Sequence, residues 1–256
     1  MFHSWLQDVL AILSGAVVGF SLSVIGGGGS ILALPLLIYV VGIRDVHVAI
    51  GTSAFAVATS AFANLIGHWR AGNVTWPYAT IFAAAGVVGA ATGSSVGKIV
   101  DGRKLLFLFA LAMIAVGVAM LRSNTKGREI ELPLTPKIAV RLAGIGLVVG
   151  AISGFFGIGG GFLSMPGIMF GGGVPILKAI GSALLAVGGF SLTTAVNYAL
   201  SGFVDWAIAL LFIGGGIAGG FGGVRFATRL AQHRGVLRAI FAGVVFVVAL
   251  LILLKV

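Results

Sequence analysis

The chain has no cysteine among its 256 residues. That excludes disulfide frameworks, thiolate metal sites and thiol catalysis, and it leaves the redox compartment unmarked. Acids are almost as scarce, with six Asp and Glu against 16 Lys and Arg. All six (Asp8, Asp45, Asp101, Glu129, Glu131 and Asp205) fall in loops or near the ends of apolar runs. No carboxylate is therefore placed to carry protons or hold a cation inside a membrane, and without thiols, carboxylates or paired imidazoles no metal site is expected. Enzyme signatures are missing too. There is no intramembrane aspartate pair, no H-E-x-x-H and no Walker motif, and the glycine clusters lack the strand context of a nucleotide fold. Neither catalysis nor a cofactor is expected.

What the chain does contain is apolar. Hydrophobic residues make up 59% and charged residues 9%, with 42 glycines and a mean hydropathy of +1.17, far from the composition of soluble domains. Continuous apolar runs cover 7–25, 29–42, 46–68, 75–97 and 104–121, then 140–158, 162–171, 179–200, 206–224 and 239–254. Several reach the ~20 residues that a helix needs to span a bilayer, and none alternates as the strands of a β-barrel would. The expected fold is an all-α polytopic membrane protein with about 8 to 10 helical segments. The N-terminal run lacks the basic region and cleavage site of a signal peptide and is read as the first segment. The net charge of +10 comes from Lys and Arg between the runs, where positive-inside placement puts them. The partner is thus the lipid bilayer and no nucleic acid, and a homo-oligomer is compatible with the composition.

One sustained polar stretch, "RSNTKGREIELPLTPKIAVR", divides the chain. It separates a first repeat at 1–121 from a second at 140–256, with the linker at 122–139. At an offset of 131, Gly19, Gly26, Gly28, Gly29, Leu32 and Pro35 fall on Gly150, Gly157, Gly159, Gly160, Leu163 and Pro166. At an offset of 130, "AIGTS" falls on "AIGSA", and Gly72, Val74 and Trp76 fall on Gly202, Val204 and Trp206. The order of glycine cluster, proline, "AIG" and tryptophan marks an internal duplication, a signature of transporters that hold substrate where the repeats meet. If each half crosses an odd number of times, Arg70, Arg122, Lys126, Arg128, Lys137, Arg141, Lys178, Arg225, Arg229, Arg234 and Arg238 share one side, eleven of the 16 basic residues. That bias favours inverted halves over parallel ones.

Two glycine clusters break the apolar runs at matching positions. One is Gly26, Gly27, Gly28 and Gly29 with Ser30; the other is Gly157, Gly159, Gly160 and Gly161. In hydrocarbon, non-helical backbone persists only where protein or a water-filled cavity surrounds it. Each cluster precedes a short run that reads as a half-helix, whose first amides lack intrahelical partners. Helix N-termini favour anions, and glycine admits close approach to the main chain. The clusters point to a small anionic substrate. Gly86, Gly89, Gly93, Gly216, Gly219 and Gly223, spaced three and four apart, read instead as packing positions, and Pro35 and Pro166 as kinks.

Further candidates carry two readings each. Thr52, Ser53 and Ser182 open the next spans, and their hydroxyls either donate to the ligand or cap and back-bond their helices. His47 and Lys178, at equivalent positions, either draw an anion into a vestibule or snorkel to the interface. Asn64 and His68, with Asn197 in the second half, either line a pathway or bond helix to helix.

At "GGGGSILALP" with "HVAIGTS", and at "GFFGIGGGFLSMP" with "KAIGSA", the chain resembles the TauE/SafE family of bacterial membrane transporters along essentially its whole length. The resemblance implies a secondary carrier in the cytoplasmic membrane for sulfite, thiosulfate, sulfoacetate or a related anion. It also implies that residues 26–30 and 157–161 cradle the oxyanion beside Thr52, Ser53 and Ser182. Ala183 departs from it, since the first half has Ser53 there. An anion channel and a non-transporting membrane scaffold remain the alternative readings.

Overall fold

The computed structural model describes residues 5–122, 133–230 and 234–255. Among them there is no strand, and the apolar runs fold as helices. They are α1 (Trp5–Ile25), α2 (Ala33–Tyr39), α3 (Val46–Arg70), α4 (Trp76–Gly97), α5 (Gly102–Arg122), α6 (Pro136–Phe156), α7 (Gly161–Gly172), α8 (Ile176–Ala199), α9 (Trp206–Leu230) and α10 (Arg234–Lys255). A 3-10 helix, Gly26–Leu32, joins α1 to α2. Among the described residues, six helices, namely α1, α3, α4, α6, α8 and α9, are long and apolar enough to cross a membrane. The chain is thus an all-helical, polytopic membrane protein. Most of the polar linker lies outside the described residues, as do Glu129 and Glu131.

Helix starts explain where the scarce acids went. Asp45 Oδ1 accepts from the amides of His47 (2.8 Å) and Val48 (3.2 Å) at the head of α3. Asp101 Oδ1 does the same for Arg103 and Lys104 at α5, and Asp205 Oδ1 for Ile208 at α9 (3.1 Å). Each carboxylate satisfies first-turn amides and meets the positive end of the helix dipole.

The six long helices form two sets of three with opposite directions. In α1 and α9, Ile12, Ala16 and Phe20 lie against Gly215, Gly219 and Gly223, so the two run parallel. α3 runs with them, because Thr52 meets Asp205 and Ser60 and Asn64 lie against Gly216 and Gly220. In the second set, Phe82, Gly86 and Ala90 of α4 oppose Gly146, Gly150 and Gly154 of α6, and α8 follows the same direction through Thr75 with Ser182 and Lys98 with Asn197. The sets meet along α3 and α8. There Gly51 packs under the Phe203 carbonyl and Tyr198, while Gly181 packs under the Asn73 carbonyl and His68, so these helices are antiparallel.

The spaced glycines are the reason the helices come so close. A methyl on Gly89 would overlap the Leu147 carbonyl, and one on Gly93 the Ala151 carbonyl. Side chains there would force the backbones apart and forfeit the dispersion contacts on which helix association in lipid depends. The packing reading of these glycines holds. α1 and α3 share a direction, so the stretch through the 3-10 helix and α2 carries the chain back. α7 does the same between α6 and α8. Pro166 lies inside α7, whereas Pro35 occupies the first turn of α2, where its missing N–H breaks no helical bond.

Candidate functional site

The two glycine clusters adopt different backbones. Gly26, Gly27, Gly28, Gly29 and Ser30 run on from α1 as a 3-10 helix rather than opening into a turn. The second cluster leaves the helix altogether: Gly157, Gly159 and Gly160 have φ of +70°, +66° and +60°. That left-handed region strains any residue with a Cβ. The amides of Gly157 and Ile158 turn back to the Ser153 carbonyl, and those of Leu163 and Ser164 close onto the Gly160 carbonyl. Between them, the amides of Gly159, Gly160 and Gly161 take no backbone acceptor. Three donors are therefore left at the start of the 12-residue α7, where the helix dipole adds positive potential. The 3-10 helix packs against α7, so the fold brings both clusters together.

Hydroxyls flank this turn. A methyl on Gly159 would overlap Ser191 Oγ, and one on Gly160 would come within 2.8 Å of Ser153 Oγ. Both serines are fully buried, and neither hydroxyl has a hydrogen-bond partner within the protein. An ordinary helical hydroxyl bonds back to the preceding turn, as Thr59 does to the Phe55 carbonyl (3.1 Å) and Thr193 to the Gly189 carbonyl (2.8 Å). Ser153 and Ser191 forgo that local acceptor and face the turn. A buried hydroxyl left unpaired costs about 1–3 kcal/mol. The remaining wall is apolar, formed by Ile50, Val57 and Val187.

The other sequence candidates sit elsewhere. Thr52 Oγ1 accepts from the Asp205 amide (3.0 Å) and Ser182 Oγ from the Thr75 amide (2.9 Å). These are two matched braces, one within each helix set, and their members are 130 residues apart in sequence. Ser53 Oγ back-bonds to the Ile50 carbonyl (2.9 Å). His47, half-buried, lies with its ring 6.2 Å from Tyr198 and 5.5 Å from Phe203. Lys178 occupies the corresponding first turn of α8. Asn64 is buried against Gly220, and His68 lies one turn beyond it on α3 beside Gly181. Asn197 is held in a clamp. Lys98 Nζ donates to its carbonyl (3.0 Å), its Oδ1 (2.7 Å) and Ser201 Oγ (2.9 Å), while Asn197 Nδ2 donates to Ser94 Oγ (2.7 Å) and Ser95 Oγ (3.0 Å).

Sequence reasoning missed Ser153 and Ser191. The available signal was positional: Ser153 stands one turn before Gly157, and Ser191 begins a Ser191, Thr194, Tyr198 stripe on one face of α8.

A turn of this kind, inside a membrane bundle and free of carboxylates, suits an anion. The family model "Sulfite exporter TauE/SafE" matches residues 11–252. The chain belongs to the TauE/SafE family. Similar members include a probable membrane transporter protein of Xylella fastidiosa (strain Temecula1), 48% identical over 96% of this chain and 94% of that protein. Others are probable membrane transporter proteins of Bacillus subtilis, 24% identical over 88% and 92%, and of Methanocaldococcus jannaschii, 32% identical over 72% and 68%. No solved structure matches the chain. With these relatives, the TauE/SafE chain is a membrane transporter.

Proposed function

We propose that this transporter is a secondary carrier for a small sulfur oxyanion or organosulfonate, such as sulfite, thiosulfate or sulfoacetate. It works in the bacterial cytoplasmic membrane by alternating access. The observation that carries the reading is the turn at 157–161. Three amides without backbone acceptors and the unpartnered, buried hydroxyls of Ser153 and Ser191 lie together beside the apolar side chains of Ile50, Val57 and Val187. Hydrogen bonds from such groups to a charged acceptor are worth about 1.5–3 kcal/mol each. Gly26, Gly27, Gly28, Gly29 and Ser30 supply the facing wall. Thr52, Ser53 and Ser182 act mainly on the frame, since each hydroxyl already has a protein partner.

The frame is an inverted duplication of two units with five helical segments each, ten in all. Two features support this. Shifting the numbering by 130 or 131 converts the set α1, α3, α9 into α6, α8, α4, and the two sets run in opposite directions. The same directions group nine of the described basic residues on the side where α5 ends and α6 begins and leave Arg44, Lys98, Arg103, Lys104 and Lys255 on the other. The linker side is therefore cytoplasmic. Uptake of labelled sulfite, thiosulfate and sulfoacetate into proteoliposomes tests the reading: one should show saturable flux. Absence of saturable flux for all three would overturn it, and non-saturating flux would mark a channel.

A further inference from the structure

Beyond the turn, the buried polar atoms of α3 and α8 fall into two rows. On α8, Thr194 and Tyr198 follow Ser191 at successive turns of one face, and both are fully buried. The row ends at His47, whose ring lies 6.2 Å from that of Tyr198. Thr194 Oγ1, Tyr198 OH and His47 Nδ1 have no hydrogen-bond partner within the protein. On α3, Asn64, 6% exposed, and His68 follow Ser60 in the same way, and Asn64 Nδ2 is likewise unpartnered. Thr194 and Tyr198 stand 130 positions after Asn64 and His68. The rows thus occupy corresponding places on two antiparallel helices and lead to opposite faces.

We propose that these rows are the inner walls of two half-pathways. One runs from the turn at 157–161 to the face where α8 ends, the other from the turn to the face where α3 ends. The inference rests on the transport reading above. Helices that merely pack in lipid do so best with small or apolar side chains, and a buried polar atom without a partner opposes their association. Unpartnered polar groups at matched positions are what a route for an anion requires. Hydroxyl, amide and imidazole N–H groups can replace its hydration in turn without binding it permanently. Neither row contains a carboxylate; the α8 row ends beside His47, and the α3 row leads to the face at which α8, with Lys178 in its first turn, begins. Alternating access opens one row at a time to the shared turn.

The natural absence of cysteine makes single-cysteine labelling direct. Full-length Thr194→Cys and Asn64→Cys, in sealed vesicles of both orientations, are treated with a membrane-impermeant anionic methanethiosulfonate. Thr194→Cys is expected to react from the face where α8 ends and Asn64→Cys from the other, with sulfoacetate slowing both several-fold. Val196→Cys, on the outward side of α8 (51% exposed), should react only with a membrane-permeant maleimide. Reaction of both row positions from one face, or reaction of neither with the impermeant reagent, overturns the proposal. If Thr194→Cys is not monodisperse, Tyr198→Cys, further along the same row, takes its place. Opposite-faced labelling without flux of sulfite, thiosulfate or sulfoacetate would keep the rows and remove the substrate reading. Saturable flux with one-faced labelling would do the reverse.

Discussion

Replacing Ser191 with alanine separates a ligand-binding hydroxyl from a structural one, because the two roles predict opposite signs. Ser191 Oγ is buried and makes no hydrogen bond within the protein. Removing it therefore breaks no protein contact and relieves a desolvation cost of about 1–3 kcal/mol. The side chain loses a single heavy atom, one crowded against Gly159, so no cavity of consequence opens. The unliganded Ser191→Ala protein should be as stable as the parent or more so. Binding should move the other way. A hydroxyl donating to a charged oxygen is worth about 1.5–3 kcal/mol, and each ~1.4 kcal/mol is tenfold in affinity. The apparent Kd or KM should therefore rise between about tenfold and about a hundredfold.

The assay pairs thermal unfolding of the detergent-purified protein with transport of the best of the three anions in proteoliposomes. Ser153→Ala should behave alike. The double variant should lose less than the sum of the two, since the hydroxyls flank one turn and share one ligand. A fall in stability of 1 kcal/mol or more with unchanged KM would refute the reasoning, because it would make the hydroxyl part of the scaffold.

Other perturbations probe the frame. Gly159→Ala places a Cβ at φ +66° and onto Ser191 Oγ, so it should cost at least about 1–2 kcal/mol of stability and abolish saturable flux at any substrate concentration. Thr52→Val strips the half-buried Asp205 amide of this acceptor and Ser182→Ala the buried Thr75 amide, and each should lower the unfolding midpoint, Ser182→Ala by the equivalent of about 1–3 kcal/mol and Thr52→Val by less, while KM changes little. Lys98→Met frees Asn197 from the clamp and should loosen the packing of α4 on α8, seen as faster amide exchange there with near-normal KM. A cysteine placed at Ser123 in the linker should react with impermeant maleimide only from the cytoplasmic side, whereas an external reaction would overturn the proposed orientation.

Much of the fold was legible in the residues because hydrocarbon leaves few choices. An apolar run of some 20 residues must be helical, and the runs at 46–68, 75–97 and 206–224 correspond to α3, α4 and α9. The spaced glycines were legible for the same reason: only close helix contact makes Gly89 or Gly93 useful inside lipid. Partner choice was less open to view. That α4 lies on α6, and α1 on α9, depends on which carbonyl faces which glycine across the linker. The roles of Thr52 and Ser182 were hidden too, since a hydroxyl near a helix start looks the same whether it meets a ligand or the amide of a distant residue.

The least legible feature is the difference between the two breaks, and it is the one that matters most for function. The proposed duplication predicts like for like, and the braces fit it: Thr52 with Asp205 is matched by Ser182 with Thr75. The proposed site does not. Ser191 corresponds to Ala61 and Ser153 to Leu22, both buried and apolar, and the open left-handed turn of the second half corresponds to a 3-10 helix in the first. Each brace joins a residue before 122 to one after 139, so a change in one member removes a bond that the proposed inverted frame needs. A ligand bound once at the meeting of two repeats touches each only on its own side, so one half can supply the donors and the other a dry wall. An anion with oxygens on one end and an apolar or softer atom at the other fits that division better than one that presents charged oxygen in every direction, because oxygens facing the dry wall would lose water without gaining donors.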